Sequence, residues 1–271
     1  MEGRADFVFG PETQFWRICR EQALLIWGPT TAILQAAHPG IGQGVAKYSD
    51  FTNDSWGRLV RTLDTVWTIG FGTVGEAEAM REKMVKLHEK IQVEYRDEVG
   101  EPRHGGGMTP ELQYWVLATL IENSVAGFER SVGRLTTDEK NQFLEEMHRF
   151  GTYFGLAADF GPADWAGFRA YYDGVVESGI LGSDPVSREI AQHVASPPRP
   201  HWLRWAMKPW RFLFSELLPY PLHERLGFRS TGWRRFQLRM LYAMLPWVVR
   251  FCPPVLRYPS AYRRAVRKLG G

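Results

Sequence analysis

The chain has 271 residues, 44% apolar, 23% charged and 14% aromatic, which excludes a disordered, collagenous or low-complexity protein. Two cysteines, Cys19 and Cys252, exclude a disulfide framework and a multi-cysteine zinc or iron–sulfur site. The net charge of +3 conceals an asymmetry: residues 199–271 hold fifteen Lys/Arg against two acids, a net of +13, and residues 1–198 carry a net of −10.

The N-terminus, MEGRADFVFG, is interrupted by acids and Arg4 and predicts no signal peptide. Phe15, Ile18, Cys19, Gln22 and Ile26 share a stripe and predict a helix over 12–27. Thr30 or Thr31 would cap a second helix through Ile33, Leu34 and Ala37, interrupted at His38-Pro39-Gly40. Asp54 would cap a third helix over 55–69, closed by Gly72. Residues 74–96 read as one long charged helix, followed by a glycine break at 101–107. Thr109-Pro110-Glu111 is a helix start, with proline in the first turn. Further helices are expected over 136–154, 163–177 and 186–195. Pro197, Pro198 and Pro200 mark a linker into a basic, Trp-rich tail read as short helices between prolines. The longest apolar stretches, 243–249 and 251–256, are split by Arg250 and fall short of the roughly 20 residues a membrane span needs; Pro246, Pro253 and Pro254 are expected to break any helix there. No segment shows strand alternation with hairpin turns. The predicted class is all-α: a core over 1–198 and a C-terminal helical extension over 199–271, in an intracellular chain.

No dinucleotide fingerprint, phosphate-binding loop, nucleophile elbow or zinc-protease motif is present. The basic tail carries no nucleic-acid recognition motif, so no nucleic-acid partner is expected. Of seven histidines, His104 reads as solvated, and His148, His193, His201 and His223 as surface or capped residues. His88 shares one predicted apolar face with Ala77, Met84, Ile91 and Tyr95. Such an imidazole is either a satisfied core histidine or, being neutral among apolar side chains, suited to ligate a haem iron. Arg58 and Thr62, at i and i+4, share a face continued by Thr65 and Ile69, whereas Arg61 lies about 60° off it. Arg58 forms either a surface ion pair or a buried contact with an anion such as a haem propionate.

The run Leu34-Gln35-x-x-His38-Pro39-Gly40, then Arg58-x-x-x-Thr62, Gly70-x-Gly72, Leu87-His88-x-x-Ile91 and Met108-Thr109-Pro110-Glu111-Leu112-x-x-Trp115-Val116 resembles the DUF2236 family, which includes the MpaB oxygenases and the latex-clearing rubber oxygenases. The resemblance extends into Leu218-Pro219 and Arg225-Leu226-Gly227. It implies a globin-like helical core binding haem b, with His88 as iron ligand and Arg58 and Thr62 as cofactor-binding residues. It implies dioxygen as co-substrate and a hydrophobic isoprenoid, terpenoid or lipid-like substrate, oxidised by cleavage of a C=C bond. Arg61 stands where the rubber oxygenases carry a distal lysine, and Gln43 is the polar side chain near the place of their glutamate. His38 is then either a polar group on the distal side, with Arg61 the other candidate for catalysis, or a hydrogen-bonded helix-end histidine. The competing class is a non-catalytic haem-binding or lipid-associated protein.

In the tail, Trp202, Trp205, Trp210, Phe212 and Phe214 interleave with Arg204, Lys208 and Arg211, and Trp233 with Arg234, Arg235 and Arg239. Two expectations stand together: packing on the acidic body, and peripheral contact with an anionic membrane surface on its cytoplasmic side.

Overall fold

The computed structural model describes residues 6–49, 54–196, 202, 213 and 216–270. The 198/199 boundary, His201 and the Trp205–Phe212 part of the tail lie outside them. The described residues are overwhelmingly helical: α1 (Gln14–Cys19), a 3₁₀ turn (Gln22–Ile26), α2 (Gly28–Ala37), α3 (Pro39–Tyr48), α4 (Ser55–Phe71) and α5 (Val74–His88) come first. A hairpin of β1 (Gln92–Arg96) and β2 (Pro102–Gly106) separates them from α6 (Pro110–Ser131), α7 (Thr137–Thr152), α8 (Trp165–Ser178) and α9 (Pro185–Ala195). The tail contributes α10 (Tyr220–Arg225), α11 (Gly232–Phe251), α12 (Pro254–Arg257) and α13 (Ser260–Gly270).

The central element is α6, which buries Tyr114, Trp115, Ala118, Ile121, Val125 and Phe128. It contacts α2, α7, the 3₁₀ turn and α11. Trp115 stacks on Tyr172 of α8 and donates its indole N–H to the Leu34 carbonyl (3.1 Å), so its one polar atom is satisfied inside the core. α1 inserts Phe15 and Trp16 between α4 and α7. The buried Glu146 carboxylate accepts from the Phe15 and Gln14 N–H groups (2.5 and 3.2 Å), donors at the start of α1 that would otherwise be unpaired. At the α1–α4 crossing a Cβ on Gly70 would stand 2.4 Å from the Phe15 ring, so glycine is required there.

Several boundaries follow the caps read from sequence. Asp54 accepts from Gly57 N–H, Gly72 ends α4, and α6 starts at Pro110 directly after Thr109. Other expectations are corrected. The 12–27 segment is α1 plus a 3₁₀ turn, broken near Arg20 and Glu21, where Glu21 faces inward to Arg257. α2 starts at Gly28, with Thr30 and Thr31 inside it; the Thr31 hydroxyl donates to the Trp27 carbonyl. α5 ends at His88, so Ile91 and Tyr95 leave the helical face and join the hairpin. Asp97 Oδ1 holds the hairpin turn by accepting from Val99 and Glu101 N–H, and Gly100 takes a positive φ of 88°. Pro246 does not break the tail helix: α11 runs through it, with Pro246 on the exposed side while Leu245 and Val249 pack on Trp27.

The described tail helices dock on the body. Tyr242 stacks on Trp27, Tyr262 packs edge-on to Trp16 and Phe71, and Lys268 pairs with Glu76 (3.0 Å). No helix among the described residues is long and apolar enough to cross a membrane.

Candidate functional site

α4 and α5 leave the tight turn at Gly72-Thr73 and pack on one another. The first turns of α4 and the last turn of α5 therefore lie at the same open end of this helical pair. Arg58, Arg61 and Thr62 stand on the first, and His88 on the second. The end of α3 and the start of β1 close over this region. Arg58 donates to Ser49 Oγ (2.5 Å), the residue that caps α3. Beside it, Tyr48 Oη donates to the Gln92 carbonyl (3.1 Å), four residues beyond His88.

His88 sits half-buried between two backbone segments. Its ring lies 6.4 Å from the Phe154 ring, and a Cβ on Gly107 would come within 2.5 Å of the His88 carbonyl oxygen. Gln113 of α6 ties these segments together, donating to the Gly107 and Phe154 carbonyls (2.8 and 2.7 Å). His88 Nδ1 is buried without a hydrogen-bond partner among the described residues, and so is Gln113 Oε1. Burial lowers the His88 pKa, which keeps the imidazole neutral. A neutral imidazole is the form a metal ion binds.

Around these groups the surface mixes apolar and charged side chains, Lys86 and Lys90 standing exposed beside Leu87. Trp56, Leu59 and Val60 of α4 and Leu87 of α5 are exposed, Leu87 by 53%. Arg58 is largely enclosed, and burial first, then the charge of Arg61, lowers its pKa. The two guanidiniums stand three residues apart at this helix start. Arg61 is exposed and pairs with Asp54 (2.9 Å). Thr62 is also exposed; its hydroxyl donates to the Arg58 carbonyl (3.0 Å), which confirms the shared i, i+4 face.

His38 stands apart. It ends α2 and caps α3, its Nδ1 accepting from Gly40 N–H (3.2 Å), with its ring edge-on to Tyr95. Ten-residue α3 spans about 15 Å, so His38 and the Ser49–Arg58 contact occupy its opposite ends. Burial pushes the His38 pKa down to about 4. The unfolded ring titrates near ~6.5, so the unfolded chain binds more protons between the two values and stability falls as pH drops through that window, by up to about 3 kcal/mol. His38→Asn retains a capping acceptor and removes the titration. Urea denaturation at pH 7 and pH 4.5 is expected to show a smaller acid loss in this variant; an unchanged loss would place the sensitivity elsewhere.

Gln43 donates to Asp184, the cap of α9 (3.3 Å), and belongs to that packing. His104 is exposed, 3.7 Å from Glu94, and His148 lies 3.4 Å from Tyr114 Oη. Burial pushes the Cys19 thiol up, which makes it a packing residue. No group of three or more His, Cys, Asp or Glu is gathered to hold a metal ion among the described residues. The neighbours of His88, Gln113 and Phe154, carried no sequence signal as site residues: their roles come from chain segments distant in sequence.

These features define a helical protein in which the α4–α5 pair carries one imidazole and two guanidiniums. The chain belongs to the family described as ER-bound oxygenase mpaB/B′/rubber oxygenase, catalytic domain, whose sequence model matches residues 16–251. The match continues through α10 and α11, past the start of the basic tail. The family is one of oxygenase catalytic domains, which take dioxygen and a small-molecule substrate. Neither a curated protein nor a solved structure matches the chain.

Proposed function

We propose that this protein is a haem b-dependent oxygenase of a hydrophobic isoprenoid, terpenoid or lipid-like substrate. The observation that carries the reading is a neutral, half-buried His88, without a side-chain hydrogen bond among the described residues, on the helix that packs against Arg58's. The residues present fit the group. His88 would ligate the iron, and a porphyrin supplies the other four nitrogens, so one protein ligand suffices. Arg58, which donates to Ser49 Oγ, would hold a propionate, with Thr62 at the cofactor edge. Leu87, exposed beside His88, offers apolar surface a macrocycle would cover.

When bound, the haem supplies the redox chemistry by which dioxygen oxidises the substrate. C=C cleavage balances without another reductant: both oxygen atoms of O₂ enter the two alkene carbons, giving two carbonyls. Arg61 would turn from Asp54 and present its charge to developing negative charge beside the cofactor. His38 fixes the α2–α3 junction in this reading and does not reach the reacting atoms. A substrate of this kind partitions into bilayers, so contact with an anionic membrane surface belongs to the same reading, and the chain works at the cytoplasmic side of that membrane. The body over 1–198 holds the cofactor, and the extension over 199–271 buttresses it.

The test is oxygen uptake by the haem-loaded full chain with isoprenoid, terpenoid and fatty-acid substrates, with carbonyl products identified by mass spectrometry. Uptake matched by carbonyl formation supports the reading, and Arg61→Ala is expected to lower turnover about tenfold or more while the Soret band persists. A haem-loaded protein that consumes no oxygen with any of them would instead be a non-catalytic haem-binding protein. Arg58→Ala is expected to weaken haem affinity by about tenfold, with Arg58→Lys intermediate, read by haem titration. Equal affinity in all three proteins would remove Arg58 from the site.

A further inference from the structure

Tail helix α11 carries an apolar surface that no part of the described chain covers. Trp233, Phe236, Met240, Met244, Trp247 and Phe251 are all exposed, Trp233 by 66%, Trp247 by 64% and Phe251 by 73%. At about 100° per residue these six fall within an arc of roughly 80°, a continuous stripe about 27 Å long. The opposite side of the helix carries Leu245 and Val249, packed on Trp27, and Tyr242 stacked on the same indole. The helix is thus anchored by one face and exposes the other by construction. The rings pair along the stripe: Trp233 stacks on Phe236, and Trp247 on Phe251. Val255 and Leu256 of α12, 55% and 65% exposed, continue it.

Charge selects what covers this face. From Arg225 to the C-terminus the sequence contains no acid, while Arg234, Arg235, Arg239 and Arg250 lie on α11 itself. A second copy docked face to face would set arginines against arginines. An anionic lipid surface meets both demands, taking the rings to headgroup depth and the guanidiniums to phosphate. A tryptophan near each end is the arrangement that holds a helix flat in the interface.

We propose that α11 is an in-plane membrane-binding helix, lying on an anionic bilayer through the Trp233–Phe251 stripe with α12 at its end. The inference rests on the proposed function only for the reason to visit a membrane; the contact itself stands on α11. On the body behind it, the helix packs directly against α6, with Arg130 over the Tyr242 ring. Docking through α11 therefore sets the catalytic body at a fixed attitude to the bilayer from which a lipophilic substrate would be drawn.

The test is co-sedimentation of the full-length protein with phosphatidylcholine vesicles and with phosphatidylcholine–phosphatidylglycerol vesicles, beside Trp247→Ser/Phe251→Ser. Both side chains are exposed, so the variant keeps its fold, as circular dichroism and thermal melting verify. The wild type is expected to bind the anionic vesicles, to bind neutral ones more weakly, and to release as salt is raised. The double variant should bind at least about tenfold more weakly. His88→Ala should bind vesicles like the wild type, so failure of the haem reading and failure of this one are distinguishable. No vesicle binding by the wild type, or equal binding by the double variant, overturns the proposal. A wild-type dimer that the double variant converts to a monomer, without vesicle binding, overturns it in favour of a second copy on the stripe.

Discussion

His88→Ala is expected to lower haem affinity by more than about 100-fold, because it removes the one protein ligand, an effect larger than the 10–100-fold typical of residues that only support a ligand. The fold should survive. His88 is half-buried at the end of α5, it makes no side-chain hydrogen bond among the described residues, and the helix start is secured at its other end by the Thr73–Glu76 capping box. Loss of the Soret band with unchanged circular dichroism and melting temperature is therefore the expected pair of readings. Supplying imidazole to His88→Gly should restore the band, since the vacated space admits the free ligand. A Soret band that survives His88→Ala in full would assign the iron to another side chain.

Arg257→Ala is expected to destabilise the protein by about 3 kcal/mol or more, lowering the melting temperature by roughly 6–12 °C. Arg257 binds Glu21 through two nearly equal hydrogen bonds (2.8 and 2.9 Å), and the Glu21 side chain is only 1% exposed. Removing the guanidinium strands a carboxylate inside the body with Arg20 at 3.8 Å as its remaining cation. Glu21→Gln/Arg257→Met removes both charges and should recover much of the loss, and thermal melting of the double-mutant cycle measures the coupling. Additive effects of the two single changes would show that the pair contributes no coupling. The pair also explains the charge asymmetry in part: the basic tail clamps the acidic body at Glu21 and, through Lys268, at Glu76 of the α5 capping box. The α11 arginines make no ion pair to an acid of the body among the described residues; Arg234 donates to the Arg229 carbonyl and Arg235 to Ser230 Oγ (3.0 Å).

The helices were legible where a short-range device declares them. Asp54 before Ser55 and Thr109 before Pro110 each announce a start through chemistry confined to four residues. The hairpin was not legible, although Ile91, Val93 and Tyr95 alternate. Opposite Gln92 and Val93 stand Gly106 and Gly105, which have no side chains to show a period, and the charged residues around them continue the composition of α5. Reading α5 through to Tyr95 gave His88 a mid-helix apolar face; it stands instead at the helix end, buried by Gly107 and Phe154. Arg58 and Thr62 were correctly placed on one face because i, i+4 spacing is local. The contacts that enclose the site, Arg58 with Ser49 and Gln113 with Phe154, join residues whose adjacency only the tertiary fold creates. Pro246 misled for the opposite reason: a local rule against proline in helices yields where side-chain packing on Trp27 holds both halves of α11.

The central claim is that the open end of the α4–α5 pair holds one haem through His88. Titration of the purified full-length protein with haem, followed by the Soret band, tests it most directly. The account predicts saturation at one haem per chain in the wild type and no such binding in His88→Ala. A wild type that develops no Soret band on reconstitution, or a His88→Ala protein that saturates as the wild type does, would contradict it.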